Sequence, residues 1–91
     1  MEHYVIVYDI RDDRRRNKIY RILKDYATPV QLSVFEAVLT KEKIVQLQYS
    51  LKRLMKNEDS IIFYRQCGHC RQDILRLGST PVPYGEGDII I

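Results

Sequence analysis

A chain of 91 residues, 45% hydrophobic and with seven tyrosines, has room for one core and excludes a multidomain architecture. The net charge is only +3, which excludes a uniformly basic protein, yet Arg11 to Lys24 holds seven Lys/Arg against two Asp, a local +5 that leaves −2 elsewhere. No run approaches the roughly 18 apolar residues of a membrane span, and no signal-peptide pattern opens the chain. Two cysteines without an export signal fit a reducing cytoplasm.

Residues 3–10, HYVIVYDI, are β-branched and aromatic and read as a strand covered on both faces, with Asp9 where the apolar run stops. Asp12 or Asp13 can cap the helix that follows. Ile19, Ile22, Leu23 and Tyr26 form its single apolar stripe. Arg14, Lys18, Arg21 and Lys24 point away from that stripe, while Arg15 and Arg16 flank it in the first turn and are expected over the end of the strand bearing Asp9. Thr28 and Pro29 break the helix. Residues 30–39, VQLSVFEAVL, are extended, either one bent strand or two short ones joined tightly.

Thr40 opens a second helix with the stripe Ile44, Leu47, Leu51, Leu54 and Met55, and Asn57 is the expected end. SIIFYRQ at 60–66 is a clear strand, and ILRL at 74–77 is a weaker one. Residues 1–78 thus make one domain. Residues 79–91 are a Pro/Gly-rich connection ending in DIII, an apolar run expected to pair with a sheet edge, its own or a neighbour's. The order predicts an α+β fold, a ferredoxin-like two-layer sandwich (βαββαβ) with an extra C-terminal strand. A domain this small gains from burying further surface in a homodimer.

The basic segment points to a polyanion or phosphate partner. Asp9 can be a helix N-cap, a turn former or a metal ligand: a carboxylate beside arginines can hold Mg2+ and a phosphodiester together. One carboxylate is too few within a chain, but a two-fold axis would supply a second. CGHC at 67–70 has the wording of a redox tetrapeptide, but it lacks the early strand and long helix of thioredoxin-like domains. As a zinc site it offers at most three ligands. The expectation is a turn between two strands. Tyr4, Tyr8, Tyr26, Phe35, Phe63 and Tyr64 lie on strands or a helix stripe, so most read as core, and the RNP1 pattern of an RNA-recognition sheet is absent. His3 reads as an ordinary residue at the start of a strand.

Several of these pieces recur together. Tyr8-Asp9-Ile10, the segment Asp13 to Lys18 with Arg16 and Asn17, Val30-Gln31-Leu32-Ser33-Val34-Phe35-Glu36, and the Cys67/Cys70 pair resemble the small CRISPR-associated adaptation protein. That is the ferredoxin-fold nuclease family that partners the CRISPR integrase. The likeness runs from about residue 3 to residue 78. It implies a homodimer whose protomers exchange their last strands. Asp9 then becomes the catalytic and metal position, one from each protomer, holding Mg2+ with Mn2+ as a substitute.

The resemblance also implies metal-dependent cutting of single-stranded RNA or double-stranded DNA, and a bridging role in spacer acquisition that grips duplex DNA by its backbone. Arg14, Arg15, Arg16 and Lys18 are the expected nucleic-acid contacts, with Tyr8, Ser33 and Phe35 as accessory residues. The chain departs from the family at Pro29, where many members carry a basic residue, and at Leu32, where an aromatic or basic residue is common. Two alternatives stand beside the nuclease: a non-enzymatic nucleic-acid-binding scaffold, and a toxin-type mRNA-cleaving ribonuclease of the same fold.

Overall fold

A computed structural model describes residues 1–78 and the backbone of 89–90. The N-terminal apolar run forms β1 (Glu2–Asp9), one residue earlier at each end than its sequence suggests. Asp12 then caps α1 (Asp13–Tyr26), its carboxylate accepting the Arg15 N–H at 2.9 Å. Ile19 and Leu23 are fully buried under the helix, with Ile22 and Tyr26 packed beside them. The helix stops where the backbone turns extended at Ala27.

The extended segment divides in two. β2 (Thr28–Gln31) and β3 (Val34–Leu39) are joined through Leu32 and Ser33. Ser33 has φ 78, a left-handed backbone that a short polar side chain tolerates better than a branched one. Pro29 is admitted because β2 pairs only with β3 and leaves its other side unpaired.

Thr40 caps α2 (Lys41–Lys52). That helix ends before Asn57, because the chain tightens at Arg53; Leu54 and Met55 nonetheless reach the core from the turn beyond it. β4 (Ser60–Gln66) matches its predicted limits. The turn expected at CGHC is instead a short helix, α3 (Gly68–Gln72), with Cys67 as its cap. β5 (Leu75–Arg76) pairs in parallel with β6 (Ile89–Ile90) of the same chain. The Pro/Gly-rich connection between them lies outside the described residues.

The main sheet has the order β2-β3-β1-β4, antiparallel throughout, which is the ferredoxin-like arrangement. Ile6, Tyr8, Phe35, Ala37, Ile19, Leu23, Leu47 and Leu51 fill the layer between sheet and helices. Among the described residues no helix is long and apolar enough to cross a membrane.

The opposite face of the sheet is different. Val5 pairs with Glu36 on one side and Tyr64 on the other, and Val7 lies across from Ile62. Val5 and Val7 are only half covered there, so this strand is not sealed on both faces as its sequence suggests. Ile62 and Tyr64 are 43% and 51% exposed. One polar cluster is sealed on this face. His3 Nε2 lies 3.2 Å from Glu36 Oε1, and both Glu36 oxygens accept from Arg76, at 2.6 and 2.5 Å. His3 is therefore a buried member of an ion cluster rather than a plain strand opener.

Burial alone would push the Glu36 carboxyl up. The hydrogen bonds from His3 and the Arg76 guanidinium outweigh it and bring the pKa down to about 2.

Candidate nucleic-acid and metal site around Asp9

β1 carries Asp9 to the open edge of the fold. It is the last residue of the strand and pairs with Ser60 at the start of β4, so its side chain stands where the sheet ends. The carboxylate is 64% exposed. Its charged neighbour is Arg11, at 3.4 Å. The sequence pattern placed Arg15 and Arg16 over Asp9. The structure turns both elsewhere, because each finds a nearer acceptor.

Arg15 lies against the loop before β4. Its guanidinium donates to both carboxylate oxygens of Asp59, at 2.5 and 3.0 Å, and to Glu58 at 3.0 Å. The Asp59 side chain has no solvent exposure and also accepts the backbone N–H groups of Arg11 and Lys56, each at 3.0 Å. The Arg15 guanidinium, followed by these backbone donors, holds the Asp59 carboxyl far below the usual carboxylate range. Asp59 in turn pushes the Arg15 guanidinium up.

Asp59 thereby fastens the strand-to-helix loop two residues beyond Asp9. No periodic pattern marks it, since it sits in a polar loop 48 residues from Arg11. Only its position ahead of a strong strand was visible in the sequence.

Arg16 fastens the same loop from the other side. It donates to the Ile10 carbonyl at 3.0 Å and pairs with Asp13. Arg14 and Lys18 stay exposed on the outer face of α1, as their helical phase requires. The residues expected to bind nucleic acid thus split into two kinds: Arg14 and Lys18 face solvent, while Arg15 and Arg16 brace the loop.

Of the accessory residues, Phe35 is fully buried and belongs to the core. Tyr8 packs on Phe35 with ring centroids 6.0 Å apart, and its N–H donates to the Ser33 carbonyl at 3.1 Å. Burial pushes the Tyr8 phenol up. Tyr8, Arg16, Asn17, Tyr20 and Ser33 line a shallow cleft of about 550 Å³ behind the Asp9 loop.

We expect Asp59→Asn to weaken the loop without emptying a cavity. The melting temperature should fall further than for Glu58→Gln, because Glu58 is mostly exposed while Asp59 is enclosed. Thermal denaturation of the two variants checks this.

Residues 1–74 match the family described as CRISPR associated protein Cas2. The chain belongs to this family. A CRISPR-associated endoribonuclease of the family from Synechocystis sp. is 42% identical over 89 residues, covering 97% of both chains. The crystal structure of a hypothetical protein from Thermus thermophilus superposes with a TM-score of 0.77 at 35% identity, over 91% of this chain and 98% of that one. A chain of a partial Cas6-RT-Cas1–Cas2 complex superposes with a TM-score of 0.69 at 32% identity, over 79% and 80%. The family assignment rests on sequence, and the ferredoxin-like sheet order agrees with it.

Asp9 suits a hard cation: an exposed carboxylate is the oxygen donor Mg2+ takes, typically one or two per ion beside water and phosphate. Within one chain the donor set is small. Among the described residues no group of three or more His, Cys, Asp or Glu stands close enough to hold a metal.

Proposed function

We propose that this chain is a dimeric CRISPR adaptation protein. In that reading it holds duplex DNA for an integrase subunit and cuts single-stranded RNA or double-stranded DNA at a site built on Asp9. The observation that carries the reading is the exposed Asp9 carboxylate at the tip of a central strand, on a loop fastened by Asp59 and Arg16, directly before a basic helix. Such a carboxylate is presented rigidly to a partner outside its own fold. The family's endoribonuclease members and the complex that includes Cas1 support the adaptation and nuclease roles.

Two copies of Asp9, one from each protomer, would hold Mg2+. When bound, Mg2+ supplies an activated water and neutralises phosphate charge. The half-open apolar face around Val5, Val7, Ile62 and Tyr64 supports dimerisation, since a second copy would remove it from water. Strand exchange through the C-terminal segment would extend the same contact.

The chain's own residues do the positioning. Arg11 lies beside Asp9, where its exposed guanidinium would meet a backbone phosphate brought to that carboxylate. Arg14 and Lys18 track the backbone along the outer face of α1, which positions a nucleic acid without reading its sequence. Arg15 and Arg16 keep the loop in place, so their loss acts through Asp9.

Phosphate contacts of this kind release counterions. Duplex affinity should fall by about tenfold between 50 and 200 mM salt for as few as two contacts per complex, and Arg14→Ala or Lys18→Ala should each flatten that slope by about 0.9 for every protomer that makes the contact. Fluorescence anisotropy over a salt series reads both.

The reading as a whole is tested by mixing the protein with the integrase subunit and a protospacer duplex. Co-elution with integration of the duplex is expected. A toxin-type ribonuclease would do neither while still degrading RNA. Integration retained by Asp9→Ala, with no cutting by the wild type, would leave the scaffold role alone.

A further inference from the structure

The CGHC tetrapeptide plays no part in the site above. Cys67 follows β4 directly, beyond Gln66, which pairs with His3 near the start of β1. Asp9 pairs with Ser60 at the other end of the same strand. The two cysteines therefore stand at the end of the sheet opposite the proposed nuclease site.

Both thiols are exposed, and their sulfurs lie 3.0 Å apart. The α3 helix sets this spacing by wrapping Cys70 back over Cys67. The Cys70 N–H also donates to Cys67 Sγ at 3.3 Å. A disulfide needs the sulfurs at about 2.05 Å, so closing this pair takes about 1 Å of movement, within reach of side-chain rotation. A metal site is a poorer fit, because no third His, Cys, Asp or Glu joins the pair among the described residues. Two adjoining, solvent-facing thiols without a third ligand are suited to thiol–disulfide exchange.

We propose that Cys67 and Cys70 form a redox-active dithiol that reduces a low-molecular-weight disulfide of the glutathione type and closes into an intramolecular disulfide. Cys67 is the attacking residue. Its thiolate bonds to one sulfur of the disulfide RSSR, giving a mixed disulfide at Cys67 and expelling RS−. Cys70 then loses its proton and attacks Cys67 Sγ, expelling the second RS−. Two electrons pass to RSSR, which leaves as two thiols carrying the protons given up by the cysteines.

The order follows from the local hydrogen bonding. The Cys70 thiol and then the Cys70 N–H stabilise a thiolate on Cys67 and push its pKa down. The same contact pushes the Cys70 thiol up. Cys67 is thus the nucleophile and Cys70 the resolving thiol.

The full chain, reduced and then freed of reductant, is placed in mixtures of glutathione and glutathione disulfide, and remaining thiols are trapped with a maleimide for intact-mass analysis. The wild type should lose both thiols together, retain no glutathione, and regain both thiols with dithiothreitol. Cys70→Ser should retain one glutathione at residue 67, and Cys67→Ser should react several-fold more slowly. Persistent labelling of both wild-type thiols would overturn the proposal. So would two retained glutathiones, or a disulfide between two chains. The wild-type result needs no variant to fold, and it is independent of nuclease activity because the pair lies away from Asp9.

Discussion

Replacing Asp9 by alanine should abolish cleavage, with a loss of at least about a hundredfold. The lost carboxylate would hold the cation that activates water, and its charged neighbour among the described residues, Arg11 at 3.4 Å, cannot ligate a cation. Folding should be untouched. The carboxylate is 64% exposed, and its ion pair with Arg11 is a surface pair worth less than about 1 kcal/mol. Melting temperature and oligomeric state should therefore match the wild type while the rate collapses. Asp59→Asn should separate from this pattern by losing stability and part of the rate together, because it acts on the loop that presents Asp9.

The second large effect belongs to the opposite face of the sheet. Glu36 is 6% exposed and Arg76 is also 6% exposed. Glu36→Ala removes the carboxylate that holds the buried Arg76 guanidinium and His3, and losing one member of a buried ion pair costs about 3–5 kcal/mol. Glu36→Ala should therefore lower the melting temperature by at least about 12 °C for a domain of this size. Calorimetry of the variant checks it.

The same cluster sets an acid limit. The folded-state pKa of Glu36, about 2, lies below the value of an unfolded glutamate. The unfolded chain therefore takes up the proton first as pH drops. The stabilisation is complete above the ordinary carboxylate range and is lost progressively down to about pH 2. Glu36→Gln should flatten that part of the pH–stability curve, and unchanged acid sensitivity would mean another carboxylate governs it.

What could be read in the sequence followed the physics of periodicity. The strand at 60–66 and the stripe of α1 declare themselves because burial repeats every two or every 3.6 residues. A cap at Asp12 or Asp13 was legible, and Asp9 as the end of an apolar run. Contacts between distant residues leave no such trace. His3, Glu36 and Arg76 meet across separations of 33 and 40 residues, and Arg15 reaches Asp59 across 44. From the sequence alone Arg15 is expected over Asp9, and nothing in its helical phase points to a loop aspartate 44 residues away. Arg11, the arginine that does stand beside Asp9, precedes the helix and so escapes the helical phase that ordered the others. The α3 helix was missed because five residues opening on glycine carry no stripe.

In the proposed dimer, two copies of Asp9 would share one cation. Titrating the protein with Mn2+, followed by the paramagnetic signal of the unbound ion, tests it directly. One tight site per dimer is expected, displaced by excess Mg2+ and missing in Asp9→Ala. One site per protomer, or a site that survives the substitution, would contradict it.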